Sequence, residues 1–156
     1  MNLNNWQQTS TVSMIVSDGE AEQEYRLTFG TCNNFDLSLF NRRRGRVFAD
    51  MNEQYGEGWT QNDEAMALMS ILISHAMILS ALKKVEVKTG DVWEETKLPE
   101  AWYDSKRFPY EVPAGMTDTL SEAVIEAGNP PRLFSFLPSG DEEKKALRLT
   151  VKPSAS

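Results

Sequence analysis

The stretch AMALMSILISHAMILSALKK, residues 65–84, constrains the fold more than any other segment of the chain. It is apolar nearly all the way round, so a helix made from it must be covered on every side, by lipid or by protein. Over residues 65–82 such a helix would reach about 27 Å at about 1.5 Å per residue, close to the roughly 30 Å of a hydrocarbon core. Ser70, Ser74, His75 and Ser80 interrupt the run, and no Trp or Tyr belt brackets both ends. Asp63 and Glu64 precede it and Lys83 and Lys84 follow it, the charge order a helix dipole prefers in any solvent. The reading is a buried helix with Leu68, Leu72, Ile78 and Leu82 in the core and no membrane crossing. It is opened by a capping box at Thr60 and Asp63 and closes near Lys84. Either it is the central helix of the domain or another subunit finishes one side.

The rest of the chain suits a water-soluble domain. Its 156 residues suffice for one domain with its own core, and 40 % apolar with 25 % charged content is ordinary for that class. A formal net charge of −7 disfavours nonspecific binding to nucleic acid or anionic lipid. Cys32 is the single cysteine, which excludes an intramolecular disulfide and fits a reducing compartment. The opening MNLNNWQQTSTVS is polar and carries no apolar signal-peptide core, so export is not expected.

Around the central helix the hydrophobic period switches between two and 3.6. In TVSMIVS, Val12, Met14 and Val16 share a face; in EYRLTF, Tyr25, Leu27 and Phe29 oppose Glu24, Arg26 and Thr28. With the polar DGEAEQ between them, these runs predict a β-hairpin buried on one side. Residues 36–55 predict a helix capped by Asn33 or Asn34, with Phe40, Val47, Phe48, Met51 and Tyr55 inward. Gly45 costs that helix about 1 kcal/mol of propensity. VEVKTGDVWEETKLP predicts a second, short hairpin turning at Thr89-Gly90-Asp91, followed by an aromatic, proline-rich connection lying flat on the domain. Thr119 and Glu122 suggest a capping box for a last helix, stopped by Gly128 at C′ and by Pro130 and Pro131. The expected fold class is α+β, with an N-terminal β-hairpin, about three helices of which the apolar one is central, and a second short β-hairpin. The expected divisions are a polar arm over 1–10, one domain over 11–131, and a C-terminal tail over 132–156.

No residue pattern points to catalysis. His75 is the only histidine, and its neighbour Ser74 projects about 100° away on a helix, so the two cannot work as a couple. A neutral core histidine bonded to a backbone or carboxylate group is expected instead. One His and one Cys cannot assemble a zinc site, and DGEAEQE and SGDEE lack the alternating spacing of a calcium loop. Glycines fall singly, without a phosphate-cradling loop. Glu94 and Glu95, adjacent on a strand, face opposite sides. Cys32 has no activating neighbour in sequence. The chain is therefore not expected to be an enzyme, and no catalytic, metal or cofactor residue is assigned.

NRRRGR carries Arg42, Arg43, Arg44 and Arg46 and could grip phosphates. In a chain of net negative charge, an exposed helix face for protein contact is the better reading. Trp102, Tyr103, Phe108 and Tyr110 are the residue types that anchor interfaces, and with the four arginines they form the expected protein-binding set. A helix apolar all round leads to the further expectation of a homo-oligomer.

From YRLTF to AGNPP the order of features resembles the small tail assembly chaperones of long-tailed bacteriophages. The features are a β-type opening, the DLSLFNRRRGRVF helix, a longer apolar helix, a linker carrying KLPEAWYD, and an LSEAVIEAGNPP helix end. The resemblance covers about two-thirds of the chain and transfers no catalytic or metal residue. It implies a non-enzymatic assembly factor in the host cytoplasm that binds the tape-measure protein and recruits tail-tube subunits. It also implies the possibility of a frameshifted longer form, encoded near Lys144 and Lys145. The alternative is a structural virion protein, such as a head–tail connector or capsid-associated protein. A nucleic-acid adaptor using residues 42–46 ranks below both.

Overall fold

The computed structural model describes residues 8–17 and 21–134. Among these, a four-stranded antiparallel sheet in the order β1-β2-β3-β4 packs with four helices, a mixed α+β fold as expected. β1 (Thr9–Ser17) and β2 (Glu22–Gly30) pair without interruption from Thr9↔Gly30 to Ser17↔Glu22. Alternation puts Tyr25, Leu27 and Phe29 in the core, with Val12, Met14 and Val16 half-buried beside them. The sheet begins before residue 11, where the expected arm ends. Thr9 and Ser10 already belong to β1, and Gln8 exchanges hydrogen bonds with Thr31.

Helix α1 (Asn34–Tyr55) opens with a reciprocal cap, Asn33 Oδ1 accepting the Asp36 N–H and Asp36 Oδ2 accepting the Asn33 N–H. It ends at Gly56, whose φ of 81° suits glycine. Helix α2 (Asp63–Ala81) is capped by Asn62 rather than Thr60, which lies in a 3-10 turn, Trp59–Gln61. Its C-terminus also differs from expectation. At Leu82 the backbone turns extended and runs straight into β3 (Leu82–Thr89), because β2 offers a free edge there. A two-residue turn, Gly90-Asp91, leads to β4 (Val92–Glu95), and Gly90 at φ 65° supplies the conformation such a turn needs. The two hairpins are one sheet: Tyr25↔Val87 and Leu27↔Val85 join β2 to β3.

The aromatic connection contains a 3-10 turn, Glu100–Trp102, and the single-turn α3 (Phe108–Glu111). Helix α4 (Ala114–Glu126) starts after Pro113, well before the expected box. Thr119 is interior, its hydroxyl bonded back to Gly115 O, and the fixed φ of Pro113 sets the start instead. Gly128, at φ 86°, stops the helix as expected. The domain then runs past 131. Pro131–Phe134 forms a 3-10 turn whose buried Phe134 stands edge-on to Phe40, ring centroids 5.0 Å apart. Residues 135–156, which hold the rest of the expected tail and SGDEE, lie outside the described residues, as does the tip of the first turn.

α2 is the central element. It is long and apolar enough to cross a membrane by length and composition, and 56 % of that window is buried inside the fold. Leu72 and Ile78 are in the core as expected, whereas Leu68 and Leu82 are half-buried. Ile71, 36 % exposed, lies on an open flank.

Candidate functional site

A groove follows the seam between α1 and α2. Its wider part, about 500 Å³, is walled by Asp50 and Met51 of α1, Leu68 and Leu72 of α2, and Lys106 and Tyr110 of the aromatic connection. Asp50, Leu72 and Ser105 continue into a narrower part of about 150 Å³, lined by Arg43, Arg46, His75, Leu79 and Tyr103. The floor is the apolar flank of the central helix. The rims carry one aromatic ring at each part, cations toward Arg43 and Arg46, and carboxylates from Asp50 and Glu53.

The expected arginine face is divided. Arg42 and Arg46 are exposed. Arg43 is half-buried and donates to Ser80 Oγ at 2.9 Å, and burial lowers its proton affinity. Arg44 is 2 % exposed, with its guanidinium carbon 5.5 Å from the Phe40 ring centroid and a hydrogen bond to Asn41 Oδ1. At about 100° per residue, neighbouring positions cannot share a face, and Arg44 falls on the buried stripe with Phe40, Val47, Phe48 and Met51. That placement was legible, since Arg44 lies four residues from Phe40 and four from Phe48.

The aromatic set divides too. Trp102 and Phe108 are core residues, 5 % and 1 % exposed, and are not available as contact surface. Tyr103 and Tyr110 are 39 % and 77 % exposed and flank the groove. The buried pair anchors the connection to α2 through His75. Its ring lies 4.3 Å from the Phe108 centroid, and Trp102 stands edge-on to Phe108 at 6.3 Å. His75 Nε2 is 2.8 Å from Trp102 O; a carbonyl only accepts, so the neutral ring carries its hydrogen on Nε2. Burial holds the His75 pKa below its ordinary value, against the pull of that hydrogen bond.

Cys32 is half-buried, and burial, aided by the nearby Asp36 carboxylate, pushes its thiol up to about 11. Little thiolate exists at neutral pH, so nucleophilic chemistry has no support there. Among the described residues no group of His, Cys, Asp and Glu is placed to hold a metal ion.

Two arrangements went unread in the sequence. Asn129, 1 % exposed, accepts from the Cys32 N–H and donates to Gly30 O and Val124 O, tying the end of α4 to the end of β2. On the outer sheet face Arg26 makes two hydrogen bonds to Glu86 and lies 4.4 Å from the Trp93 ring centroid. Alternation placed Arg26 on a polar face but could not show which strand would be beside it. Comparison with known proteins found no matching family, no similar curated protein and no similar solved structure.

Proposed function

We propose that this protein is a non-enzymatic assembly factor that holds a helical partner in the α1–α2 groove, a tail assembly chaperone acting on the tape-measure protein and tail-tube subunits. The observation that carries the reading is the groove itself: an apolar floor on the central helix with Tyr103 and Tyr110 at its rims. An amphipathic helix lays its apolar face into such a channel, and aromatic residues beside it supply contact area at low entropic cost. Exposed charges of both signs at the rims select orientation more than they add affinity. The partner is proposed from the resemblance of the order of features to tail assembly chaperones, and host cytoplasm is the place where such a factor would work.

The test is co-expression with a phage tape-measure protein. The expected result is that the partner becomes soluble and co-purifies, and that Tyr110→Ala together with Leu68→Asp lowers capture at least tenfold while the fold is kept. A partner that stays insoluble would remove the chaperone reading. Finding the chain at fixed copy number in purified particles would favour a structural virion protein.

A further inference from the structure

Among the described residues the sheet has two edges, and they are built differently. β4 is four residues long and carries Glu94 and Glu95. Shortness and charge are the devices that keep an edge from pairing with another chain. β1, at the other edge, has nine residues, reads TSTVSMIVS, and contains neither charge nor proline. Its register with β2 is unbroken, so no bulge turns it away. The other strands all carry charge, including Glu24 and Arg26 in β2 and Lys84 and Glu86 in β3.

Among the described residues the core face of β1 is also less covered than that of β2. Leu27 and Phe29 of the neighbouring strand are 0 % exposed, whereas Val12, Met14 and Val16 are only half-buried. An open cavity of about 360 Å³ lies between β1 and α4, with Val12, Met14, Met116 and Leu120 in its walls. A strand added outside β1 would set its own core-face side chains against this rim.

We infer that two copies of this chain pair antiparallel through β1, about a two-fold axis at Ser13, to make one continuous eight-stranded sheet. The choice of a second copy follows from charge. Under a two-fold axis a strand faces itself, so charges of one sign near the centre would oppose their own copies. A strand without charge meets that condition over its whole length. A different protein would impose no such neutrality. In β4 a two-fold axis at Glu94 or at Glu95 would set that carboxylate against its own copy. Register follows from faces: opposed residues share a face, and placing Ser13 against Ser13 pairs all nine residues. Val12 then meets Met14 on the core side and Thr11 meets Ile15 outside, both favourable cross-strand combinations. This contact uses other elements than the groove and stands whether or not the chaperone reading does.

The experiment uses the full chain. In a Cys32→Ser background, Ser13→Cys would bring two thiols together, because opposed Cα atoms in an antiparallel pair lie about 4.5–5.5 Å apart, within disulfide range. Copies of Thr11→Cys would be offset by roughly 13 Å along the strand. The expected result is rapid cross-linking to a dimer for Ser13→Cys and at least tenfold slower cross-linking for Thr11→Cys. Sedimentation of the unmodified chain should show a dimer at micromolar concentration. Thr11→Lys with Ile15→Lys, two exposed positions opposite Thr28 and Glu24 in β2, should keep the melting temperature and weaken the dimer at least tenfold. An unmodified chain that stays monomeric, equal cross-linking at both positions, or a dimer indifferent to the two lysines would each overturn the proposal.

Discussion

Two residues set the chemistry of the interior, and each makes a measurable statement. His75 is neutral and buried, with a pKa lowered first by desolvation; the Trp102 carbonyl and Asp104 pull the other way, and Arg43 adds to the lowering. Below the ordinary histidine value the unfolded chain binds a proton that the folded chain refuses. Stability is therefore full above that value and falls as pH drops toward the folded pKa, by up to about 1.4 kcal/mol per pH unit for one proton. Denaturation at pH 7 and pH 5.5 should show this loss, and His75→Gln should reduce it; an unchanged slope would mean other groups carry it. Asn129 satisfies one half-buried backbone N–H and two buried carbonyls at the α4–β2 junction. Asn129→Ala should cost roughly 2–4 kcal/mol, because those groups would be stranded away from water. A melting temperature within two degrees or so of the parent's would contradict that account.

At the scale of elements, what was legible followed local periodicity, and what was missed followed from distant parts of the chain. Alternation at Tyr25, Leu27 and Phe29 and the 3.6 period at Phe40, Val47 and Met51 identify their elements and buried faces directly. The junction at Leu82 did not show, because residues apolar enough for a last helical turn become strand only when β2 lies alongside. The binding set was half legible for the same reason. Tyr103 and Tyr110 reach the groove, but Trp102 and Phe108 are claimed by His75, a partner 27 residues from Trp102. Within α1, Gly45 is exposed, and a Cβ there would meet nothing within 4 Å. Gly45→Ala should therefore stabilise by about 0.5–1 kcal/mol through lost freedom of the unfolded chain. Chemical denaturation would register it as a higher midpoint at unchanged slope. In α2, Leu72 is 7 % exposed at the centre of the helix, and Leu72→Asp should cost several kcal/mol by burying a charge without a partner. A variant that melted like its parent would mean the side chain escapes to the groove, which Leu72 also lines.

At the scale of the whole molecule, net charge and the neutral edge strand predict an unusual salt response. Each chain carries a formal charge of −7 at pH 7, so two copies repel at long range whatever surface they use. The β1 edge brings no charged residue of its own to the contact, so its hydrogen bonds and apolar rim contribute little that salt can weaken. Screening then acts mainly on the repulsion. The Debye length falls from about 30 Å at 0.01 M to about 8 Å at 0.15 M, shorter than the separation of most charges on the two bodies. The dimer should tighten several-fold over that range, as read by sedimentation or by dilution of a labelled chain. A contact built on the exposed Arg42 and Arg46 facing carboxylates would respond in the opposite sense, loosening as salt rises. The sign alone decides between the two surfaces: a dissociation constant that increases with salt would move self-association from the sheet edge to the arginine side of α1.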